Sequence, residues 1–169
     1  NHLATTVDHV FSGNEIVFVM AGANDLFFQA ALIDPNAHFT SDPPIPPAAG
    51  MIYAEDAILA VMLAANELAV AVKTQIIDKG ARYVVVINVP DISSTPQVTS
   101  IVDQTVRAQT KNLFDVLVSA YNTQLSEKLN IHLSNSPNVL LIDAFTLSKD
   151  QVAKPSKYHL TNVASTACN

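Results

Sequence analysis

A chain of 169 residues is long enough for one domain with a sizeable core. It is 49% hydrophobic and only 14% charged, with a net charge of −6 and a pI near 5.1. That balance, with no Lys/Arg cluster, excludes a basic groove for nucleic acid, and the longest unbroken apolar stretch, residues 57–65, is far shorter than a bilayer span. No signal peptide is visible, and Asn1 is not a natural start, which implies processing or truncation.

In chain order, residues 1–11 carry Leu3, Val7, Val10 and Phe11 at helical spacing, which predicts the tail of a helix stopped by Gly13. Residues 16–20, after Glu15, form a continuous apolar run with β-branched residues, the pattern of a strand buried on both faces. Residues 27–33 predict a short helix or turn. Residues 34–50 hold Pro35, Pro43, Pro44, Pro46 and Pro47, which exclude helix and central strand and predict a long loop that can rim a site. Residues 51–79 predict a long helix, ended by Lys79 and Gly80, with Ile58, Met62, Ala65, Ala69, Val72 and Ile76 on its packed side. Residues 83–89 predict a second buried strand. Residues 102–129 predict a second long helix, with a stripe of Val102, Val106, Leu113, Leu117, Ala120 and Tyr121 widened by Val116 and Leu125. A turn at residues 135–138 leads to a third strand, residues 139–142, and residues 149–169 read as irregular. The alternation of strand and helix predicts an α/β fold with right-handed crossovers and a parallel sheet of at least three strands.

The first strand ends at Ala21-Gly22-Ala23, followed by Asn24 and Asp25. Ligands of parallel sheets bind beyond the carboxyl ends of the strands, so Asn24 can aim an amide donor at an anionic oxygen and Gly22 can let a substrate approach the backbone. These residue types also make ordinary turns. The lone cysteine, Cys168, is either an indifferent thiol or half of a disulfide with a partner elsewhere. No His or Cys pair stands at ligand spacing, so neither a metal nor a cofactor is expected.

Gly22-Ala23-Asn24-Asp25 at the end of an apolar strand resembles the third sequence block of the SGNH (GDSL) esterase/lipase family. The resemblance continues in order. Residues 79–91 with Ser94-Thr95-Pro96 resemble the family's next strand and its proline-bearing exit. Residues 114–125, including Tyr121 and Asn122, resemble the helix after it. Residues 139–145 resemble the following strand, and residues 155–163 with Cys168 resemble the next segment of secreted bacterial members. The resemblance implies a three-layer α/β/α sandwich, flavodoxin-like, and a serine hydrolase of small-molecule esters or lipids, secreted or periplasmic. It implies that Asn24 is the oxyanion-hole asparagine, that Gly22 shapes the corner, and that Asp25 is a structural hydrogen-bonding partner rather than an acid.

The family's Gly-Asp-Ser and Asp-x-x-His blocks do not occur in this sequence. Among the five histidines, His159 occupies a position that is usually glycine in the family, so it is not expected to be the base; His9 and His38 read as surface residues. Ser12 lies at the wrong end of its strand, and Ser93 and Ser94 lack a nucleophile-elbow sequence and read as loop residues. The expectation is therefore an internal segment of one hydrolase domain, incomplete at both ends, with the serine and the Asp/His outside residues 1–169. Its partners would be the remaining segments of that domain, and Cys168 would pair with a cysteine further on. The segment alone is expected to be inactive, and the edge of its first strand is expected to need a neighbour. Two rivals remain. One is a ligand-binding module on the same fold without the chemistry. The other is a nucleotide-binding or response-regulator domain, which lacks support because no Gly-rich phosphate motif is present.

Overall fold

A computed structural model describes residues 10–38, 40–133 and 139–166. The expected helix tail at residues 1–9, the turn at 135–138, and His2, His9 and Cys168 lie outside the described residues. The rest is a mixed α/β unit built on three parallel strands: β1 (Ile16–Met20), β2 (Tyr83–Ile87) and β3 (Val139–Ile142), in the spatial order β1-β2-β3. The register pairs Ile16 with Tyr83 and Val84 with Val139. β2 is two residues shorter than expected: the Asn88 N–H still donates to the Ile142 carbonyl of β3 at 3.1 Å, but the Val89 N–H turns to Asn122.

The sequence between β1 and β2 forms α1 (Ala23–Leu32) and α2 (Ala54–Ala71); α3 (Pro96–Thr99) and α4 (Gln104–Leu133) lie between β2 and β3. Two crossovers of the same hand that step the same way across a sheet place their helices on one face. α2 and α4 accordingly pack against each other over that face. Val17, Val19, Val84, Val86, Val139 and Leu141 alternate along the strands to meet them in one core. The inner row of α2 is Ala57, Val61, Ala65, Ala69 and Val72, mostly small residues that let α4 approach closely.

α4 starts where Asp103 caps it, its carboxylate accepting from the N–H groups of Thr105 (2.8 Å) and Val106 (3.0 Å). Its inner stripe is Phe114, Leu117, Val118, Tyr121, Leu125 and Leu129. This corrects the expected stripe, since Val102, Val106 and Val116 are exposed. Apolar β-branched residues fell at near-helical spacing on the outer side, and only the partner surface decides which row turns inward.

Three further differences have local causes. α2 passes without a break into a π-helical stretch, Val72–Ile77, so the continuous helix is Ala54–Ile77. It is long and apolar enough by length and composition to cross a membrane, although no unbroken apolar run in it is. The proline-rich loop is closed on itself. His38 and Ile45 exchange backbone hydrogen bonds of 2.9 and 3.0 Å, and the buried Asp34 carboxylate accepts from the N–H groups of Ala48 (2.8 Å) and Asn36 (2.9 Å). Those N–H groups, that of Ala48 first, hold Asp34 below the usual carboxylate range. Finally, the segment after β3, read as irregular from residue 149, continues a helix, α5 (Ala144–Ala153), and then forms a 3₁₀ turn, Pro155–Tyr158. Asp143 caps α5 by accepting from the Thr146 N–H at 3.0 Å.

The other face of the sheet carries Ile16, Phe18, Met20, Tyr83 and Leu140, with Phe18 66% and Ile16 61% exposed. β1 is also an edge strand, with no pairing on its outer side among the described residues. The helix layer on the α2–α4 side holds the unit together. Leu117→Ala, at a fully buried position facing that layer, is expected to lower unfolding stability by about 2–5 kcal/mol, read as a shift of the urea midpoint at unchanged slope.

Candidate active site

Everything the sequence placed beyond β1 converges on one corner. After Met20 the chain turns through Gly22, whose φ of 109° puts it in the left-handed region, and α1 begins at the next residue. The helix therefore starts four residues earlier than the sequence predicted. Asn24 and Asp25 occupy its first turn rather than a loop. The Gly22 carbonyl accepts the first helical bond, from the Leu26 N–H at 3.1 Å, and no side chain caps the N–H groups ahead of it. An uncapped first turn carries the positive end of the helix dipole and free N–H donors.

The need for glycine at this corner comes from α4. A Cβ on Gly22 would collide with the Tyr121 ring carbon Cζ and the phenol oxygen. The Tyr121 hydroxyl donates to the Ala21 carbonyl at 3.2 Å. Tyr121 is 1% exposed, and burial first and the Asp25 carboxylate second push its pKa up to about 12. The phenol thus remains a neutral donor beneath the corner.

An open cavity of about 410 Å³ lies at this corner, bounded by residues 20–25 and by Val89 from the end of β2. Asn24 is exposed in its wall, and its side-chain amide makes no hydrogen bond among the described residues. Asp25 is exposed too. Its carboxylate, expected to be a hydrogen-bonding partner, makes no hydrogen bond among the described residues and acts instead as a charge beside Tyr121. Among the described residues the lining contains no serine, cysteine or histidine.

The far wall of the cavity is fixed by the neighbour of Tyr121. Asn122 Nδ2 donates to the Val89 carbonyl at 2.8 Å, and the Val89 N–H donates to Asn122 Oδ1 at 3.0 Å, so one amide side chain closes both backbone groups of Val89. Asn88 in turn donates to Asp143 Oδ1 at 3.1 Å and accepts from the Phe145 N–H at 3.1 Å, which ties the ends of β2 and β3 together. Sequence alone assigned no role to Asn88 or Asn122. The signal at Asn88 is an amide residue inside an otherwise apolar run, where a buried polar group must find partners; Asn122, among polar neighbours, has no such signal.

Ser93 and Ser94, expected to be loop residues, are in a loop but belong to a buried network. The fully buried Ser93 hydroxyl lies 2.7 Å from Asp91 Oδ1 and 3.0 Å from Asp115 Oδ1, and the Ser94 hydroxyl donates to Asp91 Oδ2. Burial works to raise the Asp91 pKa, but the hydroxyls of Ser94 and Ser93 outweigh it and the net shift is downward. Ser93 is committed to this network and closed to solvent. His159 is exposed at the end of the 3₁₀ turn, His38 is exposed in the proline-rich loop, and Ser12 is exposed before β1. None of the three lines the cavity. No group of three or more His, Cys, Asp or Glu side chains is placed to hold a metal among the described residues. No protein-family model matches the chain, and no curated protein matches it.

The Gly22–Tyr121 contact has two measurable consequences. Gly22→Ala is expected to cost about 1–3 kcal/mol or more, from the left-handed backbone and the clash together, seen as a lower melting temperature. The phenol pKa is about 12 in the folded chain against 10.0 for the free side chain, so its contribution is complete below pH 10 and is lost as pH rises towards 12. Stability measured from pH 8 to 12 should therefore fall less steeply in Tyr121→Phe than in the wild type.

Proposed function

We propose that this chain is the oxyanion-binding part of an SGNH-type serine ester hydrolase. The observation that carries the reading is the unpartnered Asn24 amide, on the uncapped first turn of α1 and facing an open cavity at the carboxyl end of a parallel strand. Ester cleavage places negative charge on the carbonyl oxygen, and a fixed amide donor with helix N–H groups behind it stabilises that charge. In this reading the attacking serine and the Asp/His pair come from outside residues 1–169.

The rest of the domain has a place to sit. The apolar face bearing Ile16, Phe18, Met20, Tyr83 and Leu140, and the unpaired edge of β1, are the seats for a further strand and a second helix layer that would complete the three-layer sandwich. The substrate is a small-molecule ester or lipid, bound with its acyl part against Met20 and Val89, and the enzyme is an exported protein. The alternative is a ligand-binding module on the same fold, which a cavity lining without a nucleophile among the described residues also fits.

Turnover separates the two. In the full-length protein, Asn24→Ala should lower kcat on a short-chain nitrophenyl ester by about 10²–10³-fold, while residues 1–169 alone release no nitrophenol. Absence of ester turnover by the full-length protein would leave the binding module as the better reading.

A further inference from the structure

The Asn24 amide has no hydrogen bond of its own among the described residues, so its aim depends on the backbone that carries it. That backbone, Ala21-Gly22-Ala23, is supported from below by a side chain 100 positions away in sequence. The Tyr121 ring occupies the space in which any Cβ on Gly22 would lie, which sets how far the corner can sink towards the core. The Tyr121 hydroxyl holds the Ala21 carbonyl, which sets the rotation of the peptide entering Gly22. A left-handed glycine without such a stop is free to move between several backbone wells. Asn122, the next residue on the same helix, clamps Val89 on the opposite wall. Two consecutive residues of α4 thus fix both sides of one cavity.

We propose that Tyr121 is a positioning residue for the Asn24 amide, its ring setting the height of the β1–α1 corner and its hydroxyl setting the orientation. This rests on the ester-hydrolase reading for its catalytic consequence, but not for its geometry. Tyr121 is 1% exposed and does not touch substrate; it acts through Asn24. Its elevated pKa keeps the proton on the phenol oxygen at any pH used for ester hydrolysis. A preorganised donor loses its advantage when its frame relaxes, even if every reacting group is still present.

The test is a double-mutant cycle in the full-length protein: wild type, Asn24→Ala, Tyr121→Phe and the double variant. Tyr121→Phe keeps the ring under Gly22 and removes only the bond to Ala21. It should lower kcat by about 2- to 13-fold, the rate equivalent of one hydrogen bond, with KM within about twofold of the wild type. In the Asn24→Ala background the same change should alter kcat by less than about twofold, because no amide remains to be aimed. An equal loss in both backgrounds would mean that Tyr121 merely stiffens the domain, and that result overturns the proposal; so does an unchanged kcat in the single variant. If Asn24→Ala itself leaves turnover intact, the oxyanion role of Asn24 fails instead, and if the wild type shows no turnover the hydrolase reading fails. Side-chain amide signals in an ¹⁵N spectrum then decide the positioning claim separately. Tyr121→Phe should shift or broaden the Asn24 pair and leave the Asn88 pair in place, and an undisturbed Asn24 pair overturns the claim.

Discussion

The contact between the Tyr121 phenol and Gly22 links the two halves of this structure. On one side it is a core contact: Tyr121 lies on the inner stripe of α4, between Leu117 and Leu125, packed with the row that covers the sheet. On the other side it is the floor of the corner from which α1 departs. A bulky ring can reach the backbone there only if the residue above has no Cβ. The glycine then needs no further justification, since its left-handed φ and its bare Cα are required together. The same contact transmits the position of a long, well-buried helix to a short polar turn at the surface, which by itself has few means of holding its shape.

The exits of the three strands are joined by the same economy of polar groups. Where the chain leaves β2, Asn122 supplies partners to both backbone groups of Val89, and the Asn88 side chain does the same for the Phe145 N–H after β3. Amide side chains suit this task because each offers a donor and an acceptor, matching one backbone N–H and one C=O. The Asp91–Ser93–Asp115 cluster performs a similar service for the loop after β2. These groups are fully used in holding the sheet's carboxyl rim, which sets them apart from Asn24, whose amide is left unspent at the cavity.

The sheet itself is asymmetric. One face is sealed by α2 and α4, while the other shows a row of large apolar side chains in register across all three strands. Strands that are apolar on both sides are a property of parallel sheets enclosed between layers. The open face and the edge of β1, unpaired among the described residues, are therefore physically costly features, and under the proposed function the rest of the domain covers them. The corner after β1 and the open face are separate observations, and the proposed function accounts for both.

The strands, the two long helices, the stop at Gly80 and the polar corner after β1 were legible in the sequence, because each rests on local chemistry: runs of β-branched residues, helix formers with a terminal glycine, and short polar side chains after an apolar run. The helical state of residues 144–153 was present locally too, in the Asp143 cap, but was masked by the polarity of the residues beyond it. Other features had no local signature. Which stripe of α4 turns inward depends on the shape of α2, since the apolar residues of α4 spread over more than one face. Why position 22 must be glycine depends on a tyrosine 99 residues later, and the partners of Asn88 and Asn122 depend on the strand ends being brought side by side. Sequence determines which groups are available to bond and which stretches must be buried; it does not carry the distances between groups far apart in the chain, and only the packed fold sets those.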